Sequence, residues 1–413
     1  MLIRIRNISM LYGSNLEFIQ RASVVVDDVT GIIHAVERNR ANTFDVDTSI
    51  DGEGLLMMPS FINAHTHIAD SIAKDVTYSL GFNESIHPVS GVKRRVLNGS
   101  KREHIMHFMR SSASAMLKKG ITMFIDFREQ GLSGVYMLRE SMDGLAIRYL
   151  VLGRVEHYNY SSDDEPLAED ALDEAVKVVD AADGFGLSGA NEYSSRALEQ
   201  ISMLAKVRGK VFGMHVCESE ESQAYSMKRF GMSEVRRVLR VTRPDFLVHM
   251  TVASDDDLRL VASKGIRGIV VCPRANAVLG VGIPRVWDML RLGCNVAIGT
   301  DNVMLNSPDI FREMDYLWKI SRVMHKGYDG NGNGNGIDAR EILKMVTVNP
   351  ARIFRVDRLG YLAEDMHADA LFIDKYSVDI APMHNPHVSI VHRASESSIR
   401  AVMLNGKIVH GRL

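Results

Sequence analysis

Asn63-Ala-His65-Thr-His67 closes an apolar run, Leu55-Leu-Met-Met-Pro-Ser-Phe-Ile62. Side chains two apart on a β-strand point to the same side. Two imidazoles therefore stand together where the strand runs out, and such a pair is half of a metal site. Short His pairs also arise by chance, so the other ligands must come from elsewhere in the chain. His215 lies near the end of a second apolar run, in Gly213-Met-His-Val-Cys-Glu218. His249 ends Phe246-Leu-Val-His, and Asp301 ends Ala297-Ile-Gly-Thr-Asp. Any one of these reads equally well as a hydrogen-bonded structural residue. All five at strand ends are hard to explain that way. Neutral imidazoles with a carboxylate suit Zn²⁺ first, or Fe²⁺ or Mn²⁺. His65, His67, His215 and Asp301 could hold one such ion and leave a position open for water. Water on a bound metal becomes a usable nucleophile near neutral pH.

The elements that must position these residues are legible as a series. Apolar strand-like runs recur at Phe61–His67, Ile121–Phe127, Ile147–Gly153, Gly184–Ala190, Val211–Val216, Phe246–His249, Gly268–Cys272 and Val296–Gly299. Helical segments alternate with them. Glu103–Lys118 is apolar-periodic and is ended by Gly120. Glu218–Arg229 carries acidic residues in its first turn, where the helix dipole favours them. Ser307-Pro308-Asp309 reads as a capping serine followed by proline at the first helical position. Eight strands alternating with helices predict an α/β fold, a (β/α)8 TIM barrel over residues 58–356, with catalytic residues at the C-terminal strand ends. Residues 1–57 and 357–413 instead read as short strands, such as Ala22–Asp27, Gly31–Glu37, Ala370–Ile373 and Arg400–Leu404. Asn405-Gly406 is a two-residue hairpin signal. One small β-sandwich domain built from both termini is expected. Asp329–Gly336, a run of alternating Gly and Asn, reads as a surface loop. It has Arg340 where a calcium loop needs its twelfth-position Glu.

Composition narrows the function. The 413 residues carry 49 basic and 51 acidic side chains, a net charge of -2. No basic excess points to nucleic acid, and no polybasic block or 18-residue apolar run points to a membrane. Three cysteines (Cys217, Cys272, Cys294) are too few for a disulfide framework. A cytoplasmic enzyme of a small molecule is expected, with a homo-oligomer left open.

The set Pro59-Ser-Phe-Ile-Asn-Ala-His-Thr-His, His215-x-x-Glu218, His249 and Gly299-Thr-Asp301 resembles the amidohydrolase superfamily. The likeness is greatest to its cytosine deaminase-like branch, which includes aminohydrolases of adenosine derivatives, guanine and triazines. The resemblance implies a mononuclear site with His65, His67, His215 and Asp301 as ligands and with Glu218, His249 and Asp301 catalytic. Binuclear members carry a bridging carboxylated lysine at the fourth strand, and Gly184–Ser195 contains no lysine. The zinc deaminases with Pro-Cys-x-x-Cys are a different fold, and their signature is absent.

The implied chemistry is hydrolytic deamination of a nucleobase, nucleoside or related N-heterocycle. Asp301 takes a proton from the water, Glu218 protonates the ring nitrogen, His249 polarises the reacting centre, and ammonia leaves. Opening of a cyclic amide or amidine, or chlorohydrolysis, is the alternative within the superfamily. A non-catalytic scaffold should have lost a ligand, and none is missing. Polar residues at the remaining strand ends are the expected substrate contacts: Arg128, Arg154, His157, Glu192, Arg274 and Asn276. Glu129, Glu156 and Asn191 stand beside them. The loop after the first barrel strand, residues 70–101, contains His87 and the basic run Lys93-Arg94-Arg95, to which the motifs assign no role.

Overall fold

A computed structural model describes residues 1–38, 44–324 and 336–413. Five strands come first: β1 (Leu2–Tyr12), β2 (Glu17–Asp27), β3 (Ile32–Arg38), β4 (Thr48–Asp51) and β5 (Leu55–Pro59). Only Ser60 separates β5 from β6 (Phe61–His67). The strands β7 (Ile121–Arg128), β8 (Arg148–Gly153), β9 (Gly184–Leu187), β10 (Val211–Val216), β11 (Phe246–His249), β12 (Gly268–Val271) and β13 (Val296–Ile298) then alternate with helices, and β14 (Asp301–Asn302) follows β13 without an intervening helix. Three strands end the chain: β15 (Ala370–Asp374), β16 (Ile399–Leu404) and β17 (Lys407–Gly411).

β6 to β13 pair in sequence order, all parallel, and β14 pairs back onto β6. Gly299 and Thr300 alone separate β13 from β14, so the sheet curls until its last strand meets its first. These strands are apolar runs buried on both faces, as parallel sheets require. Inside the curl pack Ile62, Ile125, Phe127, Val248 and Val270, and Phe354 joins the same cluster. Outside it the helices bury a larger core, including Met116, Leu138, Val178 and Met314.

The expected strand ends lie within a few residues of the observed ones. The helix expected from Glu103 runs Arg102–Lys118, and the one expected from Glu218 runs Glu220–Phe230. One helix start is displaced. That helix runs Ile310–Met324, and Asp309, not Ser307, caps it, with Oδ1 accepting from the Arg312 amide at 3.2 Å. Ser307 instead meets the Lys119 ammonium.

The terminal strands form one mixed eight-stranded sheet, ordered β17-β16-β15-β5-β1-β2-β3 with β4 beside β1. It has its own core, including Ile5, Val24, Met57, Phe372 and Met403. The Asn405-Gly406 turn joins β16 to β17, with both residues at positive φ (50° and 72°) as a type I′ hairpin demands. Residues 329–335 of the expected Asn-Gly loop lie outside the described residues. No helix among the described residues is long and apolar enough to cross a membrane.

Candidate metal centre and active-site cavity

The C-terminal ends of β6, β10, β11 and β14 converge. His65 Nε2 lies 3.2 Å from His215 Nε2 and 3.3 Å from Asp301 Oδ1. His67 Nε2 lies 3.4 Å from His215 Nε2 and 3.5 Å from Asp301 Oδ1. All four residues are buried. A tetrahedron with bonds of about 2.0–2.1 Å to a central ion has edges of about 3.3–3.4 Å. The donor atoms therefore already sit at ligand spacing.

Tautomers sharpen the point. His215 Nδ1 lies 2.7 Å from the Leu187 carbonyl, and His67 Nδ1 lies 2.8 Å from Glu129 Oε1 and 3.1 Å from the Phe127 carbonyl. Carbonyl and carboxylate oxygens only accept, so each Nδ1 carries the proton and each Nε2 presents a lone pair. Lone pairs facing one another in a buried site repel, a cation between them removes the repulsion, and this group could hold one. His249 is close enough to be counted too, because donor atoms of His65, His215, His249 and Asp301 all lie within 4.8 Å of one another. That group does not include His67, whose Nε2 nonetheless lies 3.4 Å from His215 Nε2 and 3.5 Å from Asp301 Oδ1.

Strand geometry explains the convergence. Gly299 passes against β6, where an added Cβ would come 2.5 Å from His65 Cβ and 2.8 Å from the His65 backbone. Asn63 fastens the two strands, donating to Thr300 Oγ1 (2.8 Å) and accepting from the Thr300 amide (3.0 Å). His249 and Asp301 both take positive φ (74° and 59°), a strained conformation for such residues that clusters at functional sites.

Three buried atoms of the site have no hydrogen-bond partner: Asp301 Oδ2, Glu218 Oε1 and His249 Nε2. Glu218 Oε1 lies 3.5 Å from His249 Nε2. Burial, with the Asp301 carboxylate nearby, pushes Glu218 well above the usual carboxylate range. Burial would raise Asp301 as well, but the surrounding His65, His249 and His67 outweigh it and hold it low. Burial lowers His67 to about 3 and His249 to about 4, so both stay neutral.

A cavity of about 460 Å³ opens from this centre. Of the expected substrate contacts, Arg154 and Glu192 line it, as do Glu129, Glu156 and Asn191. Arg128, His157, Arg274 and Asn276 do not. Arg128 is fully buried and spent on Asp126 (3.3 Å) and Glu129. Arg274 is fastened to Glu313 (3.3 Å) and Asn306 (3.2 Å). Asn276 donates to Thr251 Oγ1 (2.6 Å) and turns its oxygen to His249 Nδ1 (3.1 Å), so it orients the histidine. His157 is half-buried beyond the wall.

The sequence assigns no role to Asp126 or Asp70 and sets Glu129 only beside the expected substrate contacts, yet all three shape the site. Asp126 accepts from the Ile68 amide (2.7 Å), holding the end of β6. Asp70 accepts from Asn302 Nδ2 (2.7 Å) and the Met304 amide (3.0 Å), anchoring the chain beyond Asp301. Glu129 sits under His67. Its burial opposes ionisation, but Lys93, Arg128 and His67 hold it well below the usual carboxylate range.

The amidohydrolase family profile matches residues 56–409. The chain belongs to the amidohydrolase family. A putative aminohydrolase of Methanothermobacter thermautotrophicus is 35% identical over 94% of this chain and 94% of its own length. A 5-methylthioadenosine/S-adenosylhomocysteine deaminase of Caldicellulosiruptor saccharolyticus is 26% identical over 100% of this chain and 94% of its own. Among solved structures, a zinc-bound adenosine deaminase from Xanthomonas campestris shares 20% identity and a TM-score of 0.81, covering 98% of this chain and 92% of that one. That likeness speaks to the fold. The family expected from the histidine motifs is the family found.

Proposed function

We propose that this amidohydrolase is a metal-dependent deaminase that releases ammonia from a nucleobase, nucleoside or related N-heterocycle. The observation that carries the proposal is the trio of unpartnered buried groups, Asp301 Oδ2, Glu218 Oε1 and His249 Nε2, around the four-donor cage. His65, His67, His215 and Asp301 Oδ1 would hold one divalent cation, with Zn²⁺ favoured by three nitrogens and one oxygen at tetrahedral spacing. Bound there, the cation polarises a water so that it can lose a proton near neutral pH.

The side chains then divide the proton traffic. Asp301 Oδ2 accepts the proton of the attacking water, its other oxygen being turned to the histidines. Glu218, kept protonated by burial, donates to the ring nitrogen next to the attacked carbon, so attack builds no bare anion. Neutral His249, held by Asn276 through Nδ1, presents Nε2 as a fixed acceptor for the water. Asp301 passes its proton to the amine, the carbon–nitrogen bond breaks to release ammonia, and the remaining hydroxyl proton goes to Glu218 as the ring carbonyl forms. The cavity is large enough for a heterocycle with a substituent, and the name of the Caldicellulosiruptor relative supports a purine-type ring.

We read the curled parallel sheet as a closed (β/α)8 barrel over residues 58–356, with β13 and β14 as one strand. We read residues 1–57 and 357–413 as one β-sandwich domain. Support comes from Gly31, whose turn touches Asn405 near the other end of the sheet order. Free cysteines and no spanning helix among the described residues favour the cytoplasm.

The test is an ammonia-release screen of nucleobases, nucleosides and pterin-like rings with metal-replete protein. Ammonia from at least one ring, abolished by chelation, is expected. Ring-opened product or chloride release without ammonia would overturn deamination and favour the cyclic-amide or chlorohydrolase alternative.

A further inference from the structure

The basic run Lys93-Arg94-Arg95 looks uniform in sequence and is divided by the fold. Arg95 is exposed, Arg94 donates to the Pro88 carbonyl at 2.7 Å, and Lys93 turns inward. Lys93 is 6% exposed and lines the cavity. Its ammonium lies 2.6 Å from Glu129 Oε1 and 3.4 Å from Asp70 Oδ2. Both carboxylates lead to the metal cage. Glu129 Oε1 lies 2.8 Å from His67 Nδ1, and Asp70 Oδ2 accepts from Asn302, the residue after Asp301, at 2.7 Å.

We propose that Lys93 is a positioning residue for the metal centre, fixing His67 through Glu129 and the Asp301 segment through Asp70. It thereby couples the fold of the loop after β6 to cation binding. A solvated lysine would be free to swing. This one is buried between two carboxylates that have no comparable freedom. A ligating histidine is commonly aimed by the carboxylate behind it, and loss of such a partner typically costs about 10–100-fold in metal affinity. Glu129 is that partner. With Lys93 removed, Glu129 Oε1 loses its 2.6 Å cation and keeps Arg154 only at 4.0 Å, while Arg128 holds the other oxygen, so the carboxylate is less firmly held against His67. Helix Val92–Gly99, which carries Lys93, belongs to the segment whose Phe82, Ile86 and Pro88 form the far cavity wall. The same helix therefore shapes the substrate space and steadies His67.

The inference rests on the four-donor set being a metal centre, and its test separates the two. The dissociation constant for Zn²⁺ would be measured by chelator competition in wild type, Lys93→Met, Glu129→Gln and the double variant, with circular dichroism to establish folding. Wild type holding no stoichiometric cation would refute the metal centre itself. With wild type loaded, Lys93→Met should weaken Zn²⁺ about 10–100-fold. The double variant should then lose less than the two single losses combined, because one of the two routes from Lys93 runs through Glu129. Lys93→Met folded with wild-type affinity would overturn the inference, as would fully additive losses. A raised KM with unchanged Zn²⁺ affinity would also overturn it, making Lys93 a substrate contact. Should Lys93→Met fail to fold, Lys93→Arg gives the same comparison. It should bind Zn²⁺ within a few-fold of wild type, whereas Glu129→Gln loses affinity. Equal affinity in Glu129→Gln and wild type would overturn the inference.

Discussion

His249 and Asn276 are locked ring to amide: His249 Nδ1 lies 3.1 Å from Asn276 Oδ1, and the amide nitrogen is committed to Thr251 at 2.6 Å. The asparagine cannot turn its donor side to the ring without losing Thr251. The proton therefore stays on Nδ1, and Nε2 faces the reacting centre. Asn276→Ala should lower kcat roughly 10–100-fold, the usual range for a partner that orients an imidazole. Metal content should stay unchanged. Steady-state kinetics with elemental analysis checks this, and a wild-type kcat would remove Asn276 from the account. Arg274→Ala, outside the cavity, should leave KM within a few-fold.

Glu218→Gln keeps the shape of the side chain and removes its acid. Turnover should fall by roughly 10²–10⁴, the range for a lost general acid. The cation should remain, since Glu218 is not in the four-donor set. Normal ammonia release from this variant would refute the proton-donor role.

Gly299→Ala tests the strand contact that brings β14 to β6. The new methyl would fall 2.5 Å from His65 Cβ, with backbone on its other sides. Overpacking there should cost about 1–3 kcal/mol and be seen as a lower Tm. Cation content should fall with it. A variant as stable and as metal-loaded as wild type would contradict the close approach.

The metal-free protein should lose stability in acid for a specific reason. His67 and His249 are held near 3 and 4 when folded, against 6.5 in an unfolded chain. Protons therefore bind the unfolded state more tightly. Stability is fully present above about pH 6.5 and drains away as pH falls toward the folded values. By pH 5 the loss is about 2 kcal/mol per histidine. Urea titration of chelated protein at pH 8 and pH 5 measures it, and His249→Asn should show the smaller drop. Equal drops would show that His249 is not held neutral by burial.

Much of this was legible in the sequence because the strands that build the site are buried on both faces. Phe61–His67 ends in a histidine and Val211–Val216 has one next to its end, and the structure has both strands with the expected bounds. The Asn405-Gly406 turn was equally plain. What stayed hidden were contacts between distant polar residues. Lys93 and Glu129, or Asp70 and Asn302, lie far apart in the chain and carry no periodic signal that pairs them. Arg128 fails as a substrate contact for the opposite reason. A charge at a strand end looks like a ligand, but Asp126 two residues earlier and Glu129 one residue later consume it. Asn276 was found by its position at a strand end. Its task became visible only with the His249 ring in place.

The central claim is one cation between His65, His67, His215 and Asp301. An anomalous-difference map from crystals of metal-replete protein, collected at the zinc edge, tests it directly. The account predicts a single peak about 2 Å from each of three Nε2 atoms and from Asp301 Oδ1. An empty cage in zinc-loaded crystals, or a peak bound elsewhere in the cavity, would contradict it.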